Sequence, residues 1–162
     1  MEEQESDYSW FYTGTNFRTL LGGHAYVLNV TTLRWLNESD YTIPNGRPVW
    51  THEVVVVVPR HLTYTNVSTL YLASLIAGCN NDKPITGLNF DIEMADLFAY
   101  QSQSIGVVAF QTPNCPMIFE DDPSKEERNE DPQVAWALRE FFEKPDHDPR
   151  RLILMPMAKA AH

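Results

Sequence analysis

Two cysteines punctuate the chain, Cys79 in LYLASLIAGCNND and Cys115 in QTPNCP. A cysteine can serve as a nucleophile, as half of a disulfide or as a small buried residue, and its surroundings choose among these. A catalytic thiol needs a base to activate it. The histidines do not offer one by position: His24, His52 and His61 flank early segments, and His147 and His162 lie near the end. Two cysteines without CxxC spacing make no zinc pattern. The acidic run from Glu120 to Asp131 reads as a solvated loop, with a carboxylate metal cluster as the sharper alternative. No Gly-x-Ser-x-Gly elbow, Gly-x-Gly-x-x-Gly loop or Walker loop occurs in the chain. The sequence therefore holds no complete catalytic set, and no cofactor is expected.

The elements around the cysteines decide whether they can meet. Ala25–Thr31, AYVLNVT, mixes β-branched and aromatic residues and reads as a strand after Gly22-Gly23. TIPNGRP is turn chemistry. The valine run in EVVVVV, Glu53–Val58, favours a strand near the middle of a sheet, buried on both faces and stopped by Pro59. Thr69–Ala77 and Ser104–Phe110 are further apolar runs of strand length. Between them, Phe90–Ser102 places Met94, Leu97 and Phe98 at helical spacing, with Asp91 as N-cap. Asp131-Pro132 starts a second helix, with Val134, Leu138, Phe141 and Phe142 as its apolar stripe. The final segment, RLILMPMAKAAH, could open a strand or a helix. This order predicts an α/β protein with parallel later strands joined by right-handed crossovers.

In open α/β sheets the informative residues follow the carboxyl ends of the strands. Here these are Gly78-Cys79-Asn80-Asn81 and Gln111 to Pro116. Neighbouring strands lie about 4.8 Å apart, within reach of a disulfide, which needs about 4.4 to 6.8 Å between Cα atoms. A Cys79–Cys115 bridge, two reduced cysteines in small niches and a catalytic thiol all remain open at this level.

Composition narrows the partners. The chain has 162 residues, enough for one domain, with 43% hydrophobic and 12% aromatic residues. Disorder is expected only in the acidic start, residues 1–7, with the folded part running from residue 8 to 162. A formal charge of -10, from 12 Lys+Arg against 22 Asp+Glu, speaks against nucleic acid. No apolar run has the length of a membrane span, and the first residues lack the basic and apolar regions of a signal peptide. Against that stand three Asn-x-Ser/Thr sequons, at Asn29, Asn37 and Asn66, which are candidate glycosylation sites of an extracellular chain, the alternative being three plain surface Asn residues.

Beyond these physical features, the ordered blocks AYVLNVTTLRWLNESD, RPVWTHEVVVVVP, LASLIAGCNND, SIGVVAFQTPNCPMIF, RNED and LMPMAKAA resemble, in order and spacing, the PhoPQ-activated pathogenicity-related proteins. The resemblance covers about Tyr8 to His162. It implies the N-terminal portion of an α/β-hydrolase-like sheet: opening antiparallel strands, then parallel βαβ units, with the sheet unfinished. The elbow serine, acid and histidine of such a hydrolase are then expected beyond residue 162, and His162 is no triad member. The resemblance also implies that Gly78, Cys79, Asn80 and Asn81 form the loop whose backbone N–H groups could face an oxyanion. Where this chain has Cys79 and Cys115, the family tends to have serine and glutamine. One coupled change explains both, which favours the disulfide.

Three functions follow as expectations. The first is a secreted regulatory or binding protein with a receptor as partner. The second is the first part of a serine ester or amide hydrolase acting on a small molecule, its partner being the remainder of its own domain. The third is a truncated product without independent role. An extracellular location and a regulatory function are preferred.

Overall fold

The computed structural model describes residues 7–43, 48–73, 85 and 89–162. Seven strands and three α-helices are placed among them: β1 (Ser9–Arg18), β2 (His24–Arg34), β3 (Tyr41–Thr42), β4 (Val49–Val58), β5 (Tyr64–Leu72), α1 (Phe90–Ser102), β6 (Ser104–Ala109), β7 (Ile118–Phe119), α2 (Glu130–Glu143) and α3 (Leu154–Ala161). A five-stranded sheet runs in the order β1-β2-β4-β6-β5, and β3 pairs with β7 in a separate two-stranded sheet. β4 and β6 are antiparallel, with Val55 opposite Val108. β5 and β6 are parallel, with Leu70 opposite Val107.

The expected alternation is thus realised once among the described residues, as β5-α1-β6, because β6 is followed by the two-residue β7 and then by α2. Among the described residues, β6 lies inside the sheet and the edges are β1 and β5. An unfinished sheet would leave an edge open beside Ser104–Phe110; the described residues instead place β6 between β4 and β5. The last segment resolves as the helix α3.

Contacts divide the chain into two compact units, one of Met1–Ser9, Thr31–Thr51 and Pro113–His162, the other of Trp10–Val30 and His52–Thr112. The second unit holds the greater part of the sheet. Its core joins Ala25 and Val27 of β2, Val55 and Val57 of β4 and Val108 of β6 to Ile92, Ala95 and Ala99 of α1. α1 covers this face. The valine run was expected to be buried on both faces, yet Val54, Val56 and Val58 are half-buried while Val55 and Val57 are 0% exposed. Among the described residues of this unit, only one face of β4 carries a helix.

α1 begins and ends where its spacing predicts, but the cap is Asn89, whose side chain accepts from Asp91 N and Ile92 N. Asp91 is buried instead. The packed face is also different. Asp91, Ile92, Ala95, Asp96 and Ala99 face inward, while Leu97 is exposed. Small residues are required because the helix closes on Gly106: a Cβ there would stand 2.3 Å from the Ala95 carbonyl oxygen. At the other side of the helix, Asp96 accepts from Thr19 Oγ1 at 2.8 Å and from Leu21 N at 2.9 Å, pinning the β1–β2 turn. A buried carboxylate is tolerable when its lone pairs are filled in this way.

The first unit is built on aromatic rings. Trp35 lies 5.0 Å from Tyr41, 5.8 Å from Trp50 and 6.5 Å from Phe119, centroid to centroid, and Phe119 lies 6.0 Å from Trp136. These are edge and tilted arrangements, which the ring quadrupole favours. α2 contributes Gln133, Trp136 and Ala137 to the interior, whereas Phe142 of the expected stripe is exposed. Trp136 and Ala137 pack into the aromatic cluster, and the guanidinium carbons of Arg128 and Arg139 lie 4.5 and 5.0 Å from the Trp136 ring. The acidic loop is ordered by cations. Arg128 binds Asp122 at 2.5 Å, Lys125 binds Glu120 at 2.7 Å, and Lys144 pairs with Asp121.

Candidate functional site

Because β5 and β6 are parallel neighbours, their last residues, Leu72 and Ala109, lie side by side at one end of the sheet. Gly78, Cys79, Asn80 and Asn81, the loop expected after the first of these strands, lie outside the described residues, as does any pairing of Cys79. The segment after β6 is described. In the second unit, Phe110 is buried, Gln111 adopts a left-handed φ of 59°, and its Oε1 accepts from Glu53 N at 3.2 Å. His52, 2% exposed, places Nδ1 3.0 Å from the Phe110 carbonyl oxygen and 3.2 Å from Thr112 Oγ1. Burial pushes this imidazole below its ordinary pKa, against the pull of the backbone groups of Phe110 and Gln111. A neutral, backbone-anchored histidine is the result.

In the first unit, Asn114 continues the chain with both ends of its amide engaged. Its Oδ1 accepts from Thr51 N at 2.9 Å and its Nδ2 donates to Thr51 O at 2.8 Å, reproducing one rung of a β-ladder with a side chain. Gln133 Nε2 donates to the Asn114 carbonyl at 2.8 Å. Cys115 is buried beside it and precedes a cis peptide bond to Pro116. The residues the sequence singles out here fix backbone.

Sequence reasoning missed a buried acid at the start of α1. Asp91 is 2% exposed, hydrogen-bonds Tyr71 and leaves its Oδ1 without a partner. Burial raises its pKa, with the Tyr71 bond pulling the other way. Burial first, then the Asp91 carboxylate, raises that of Tyr71. An Asp in a first helical turn was the available signal, but it pointed to a cap. A carboxyl raised in the fold contributes stability that is complete below its unfolded value, near 3.8, and is lost as pH rises through the folded value. Asp91→Asn is therefore expected to raise the denaturation midpoint at pH 7 and to flatten its decline between acid and neutral pH. Urea titrations across that range measure it.

The first unit also contains a cavity of about 750 Å³ whose lining includes Arg34, Trp35, Asn37, Asp40, Asp148 and Arg151. It is assembled from segments remote in sequence, which is why no motif announced it. Its charges are mixed and paired: Arg34 to Asp7 at 3.2 Å, Arg151 to Asp40 at 3.4 Å and Arg150 to Asp148 at 2.7 Å. Trp35 Nε1 donates to the Arg150 carbonyl at 2.7 Å and fixes one wall.

Other expected sites are dispersed. Asn37 and Asn66 are exposed and Asn29 is half-buried. Among the described residues no group of three or more His, Cys, Asp or Glu is placed to hold a metal ion, and no helix is long and apolar enough to cross a membrane.

Comparison with known proteins adds what geometry does not. Autocrine proliferation repressor protein A of Dictyostelium discoideum is 31% identical over 158 residues, covering 96% of this chain and 28% of that protein. The chain thus spans well under half the length of the curated relative it matches. No solved structure matches it. The family profile described as PhoPQ-activated pathogenicity-related protein matches residues 1–162, and the chain belongs to that family.

Proposed function

We propose that the protein acts outside the cell as a regulatory or binding factor on an α/β-hydrolase-like sheet, with catalysis secondary. The observation that carries this reading is the use made of the polar side chains after β6. Gln111 holds the Glu53 backbone and Asn114 holds that of Thr51, while Thr112 bonds His52, which in turn sits on the Phe110 carbonyl. These groups are committed to holding the chain in place, largely within the interior. The relative's name, which describes an autocrine proliferation repressor, supports a secreted signal. The antiparallel β4–β6 pair followed by the parallel β5-α1-β6 unit is compatible with the opening strands of a hydrolase-like sheet.

The functional test is a growth assay. Purified full-length protein added to the medium of the cells that produce it should slow their division in a dose-dependent way, and unchanged doubling times at saturating dose would remove the regulatory reading. A serine ester or amide hydrolase remains the rival, because the matched relative is much longer than this chain.

The same reading includes a Cys79–Cys115 bridge between the segments that follow β5 and β6. Closing a loop of about 36 residues contributes about 4 kcal/mol in the chain-entropy account. Thiol alkylation under denaturing conditions should label neither cysteine before reduction and both after it. Labelling without reductant would exclude the bridge.

A further inference from the structure

The three sequons are treated differently by the fold. Asn37 opens a tight turn in which Asp40 N donates to Asn37 O at 3.0 Å and Asn37 N donates to Asp40 Oδ2 at 3.1 Å. Those bonds use the backbone of Asn37, and Asn37, Glu38 and Ser39 are all exposed. Asn66, Val67 and Ser68 are also exposed, on the edge strand β5. The register against β6 shifts between Tyr64 and Ser68, so Asn66 stands in an irregular stretch of that edge. Asn29 is different. It is half-buried in β2, between β1 and β4. By two-residue alternation it shares the face of Ala25 and Val27, which are 0% and 2% exposed in the second unit's core.

We propose that Asn37 and Asn66 are N-glycan acceptors and that Asn29 is bare in the folded protein. The inference rests on the extracellular reading above. In the reaction, the Asn Nδ2 forms a bond to the anomeric carbon of a lipid-pyrophosphate-linked oligosaccharide. The bond from that carbon to the pyrophosphate oxygen breaks, its electron pair leaves on the lipid pyrophosphate, and one amide proton is released. The product needs room for a branched, hydrated chain. The Asn37 turn and the β5 edge provide it, whereas a glycan on Asn29 would have to displace the packing around β2. Two consequences follow for the surface. Asn37 lines the polar cavity of the first unit, so its glycan stands over that rim. On β5, where Tyr64 and Val67 are 55% and 54% exposed, a glycan at Asn66 blunts an apolar edge against pairing with another chain.

The test uses two arms in eukaryotic cells, the protein from its own full reading frame and the same protein with an added cleavable export leader. Enzymatic glycan release in heavy-oxygen water, read by peptide mass, should convert Asn37 and Asn66 to labelled Asp and leave Asn29 as Asn. Asn37→Gln and Asn66→Gln should each remove one glycan from the intact mass, and Asn29→Gln none. In the leader arm, label at Asn29, or a bare Asn37 or Asn66, overturns the assignment. The expected pattern in that arm, with unmodified and retained protein in the other, upholds the acceptor assignment and overturns the extracellular reading on which it rests.

Discussion

Replacing Gly106 by alanine is expected to destabilise the second unit by about 3 kcal/mol, a large loss for the addition of one methyl group. The reason is the approach of α1 to β6. A Cβ at residue 106 would meet the Ala95 carbonyl oxygen at 2.3 Å and the Ala99 Cβ at 3.1 Å. The nearest obstacle is backbone, so a change of rotamer cannot relieve the clash and the helix must move off the sheet. That movement would loosen Ile92, Ala95 and Ala99 from Val55, Val57 and Val108 together. Gly14 supplies the contrast. Its φ is 86° and nothing lies within 4 Å of an added Cβ, so Gly14→Ala should cost only about 1 kcal/mol, from backbone strain. Urea denaturation followed by far-ultraviolet circular dichroism compares the two. Equal midpoints would show that α1 does not close on Gly106.

The second large effect is expected in the first unit. Trp50 is 0% exposed and its ring stands edge-on to Trp35 at 5.8 Å, within a cluster that includes Tyr41 and Phe119. Trp50→Ala removes the ring and leaves a cavity that its rigid aromatic neighbours cannot fill, a loss of about 4 kcal/mol. Burial raises the pKa of the Tyr41 hydroxyl against the pull of the Trp50 indole, a pull that truncation removes. Trp50→Phe keeps much of the area and should recover about half of the loss. Near-ultraviolet circular dichroism reports the ring environment and chemical denaturation the stability. A Trp50→Ala protein with unchanged aromatic bands would contradict the packing described here.

How much of this could be read in advance varies with the physics of each element. α1 was legible from its spacing to the residue, and β4 from its valines, because both signals are local. The helix's inward face was not legible: Ala95 and Ala99 are set by the approach to Gly106, a partner distant in sequence. β1 escaped notice because SWFYTGTNFR is exposed along nearly its whole length and shows no alternation of burial for a pattern to follow. β3 and β7 have two residues each, too short for any periodicity. On α2, the stripe through Phe141 and Phe142 competed with one through Gln133, Trp136 and Ala137. Arg128 and Arg139 against the Trp136 ring accompany the second.

The candidate sites divide along the same line. The segment from Gln111 to Pro116 was flagged by its place after a strand, and the structure describes it. There Gln111 and Asn114 bond backbone groups, and Thr112 bonds the His52 ring. Asp91 with Tyr71 and the polar cavity were not flagged, since each depends on residues brought together only by folding.

The most direct test of the proposed function is labelling of the full-length protein by a fluorophosphonate probe, which captures activated serines. The regulatory account predicts no covalent adduct by intact mass on protein that still slows growth. A stoichiometric adduct that heat denaturation of the protein abolishes, with growth repression lost on labelling, would contradict it and establish the hydrolase.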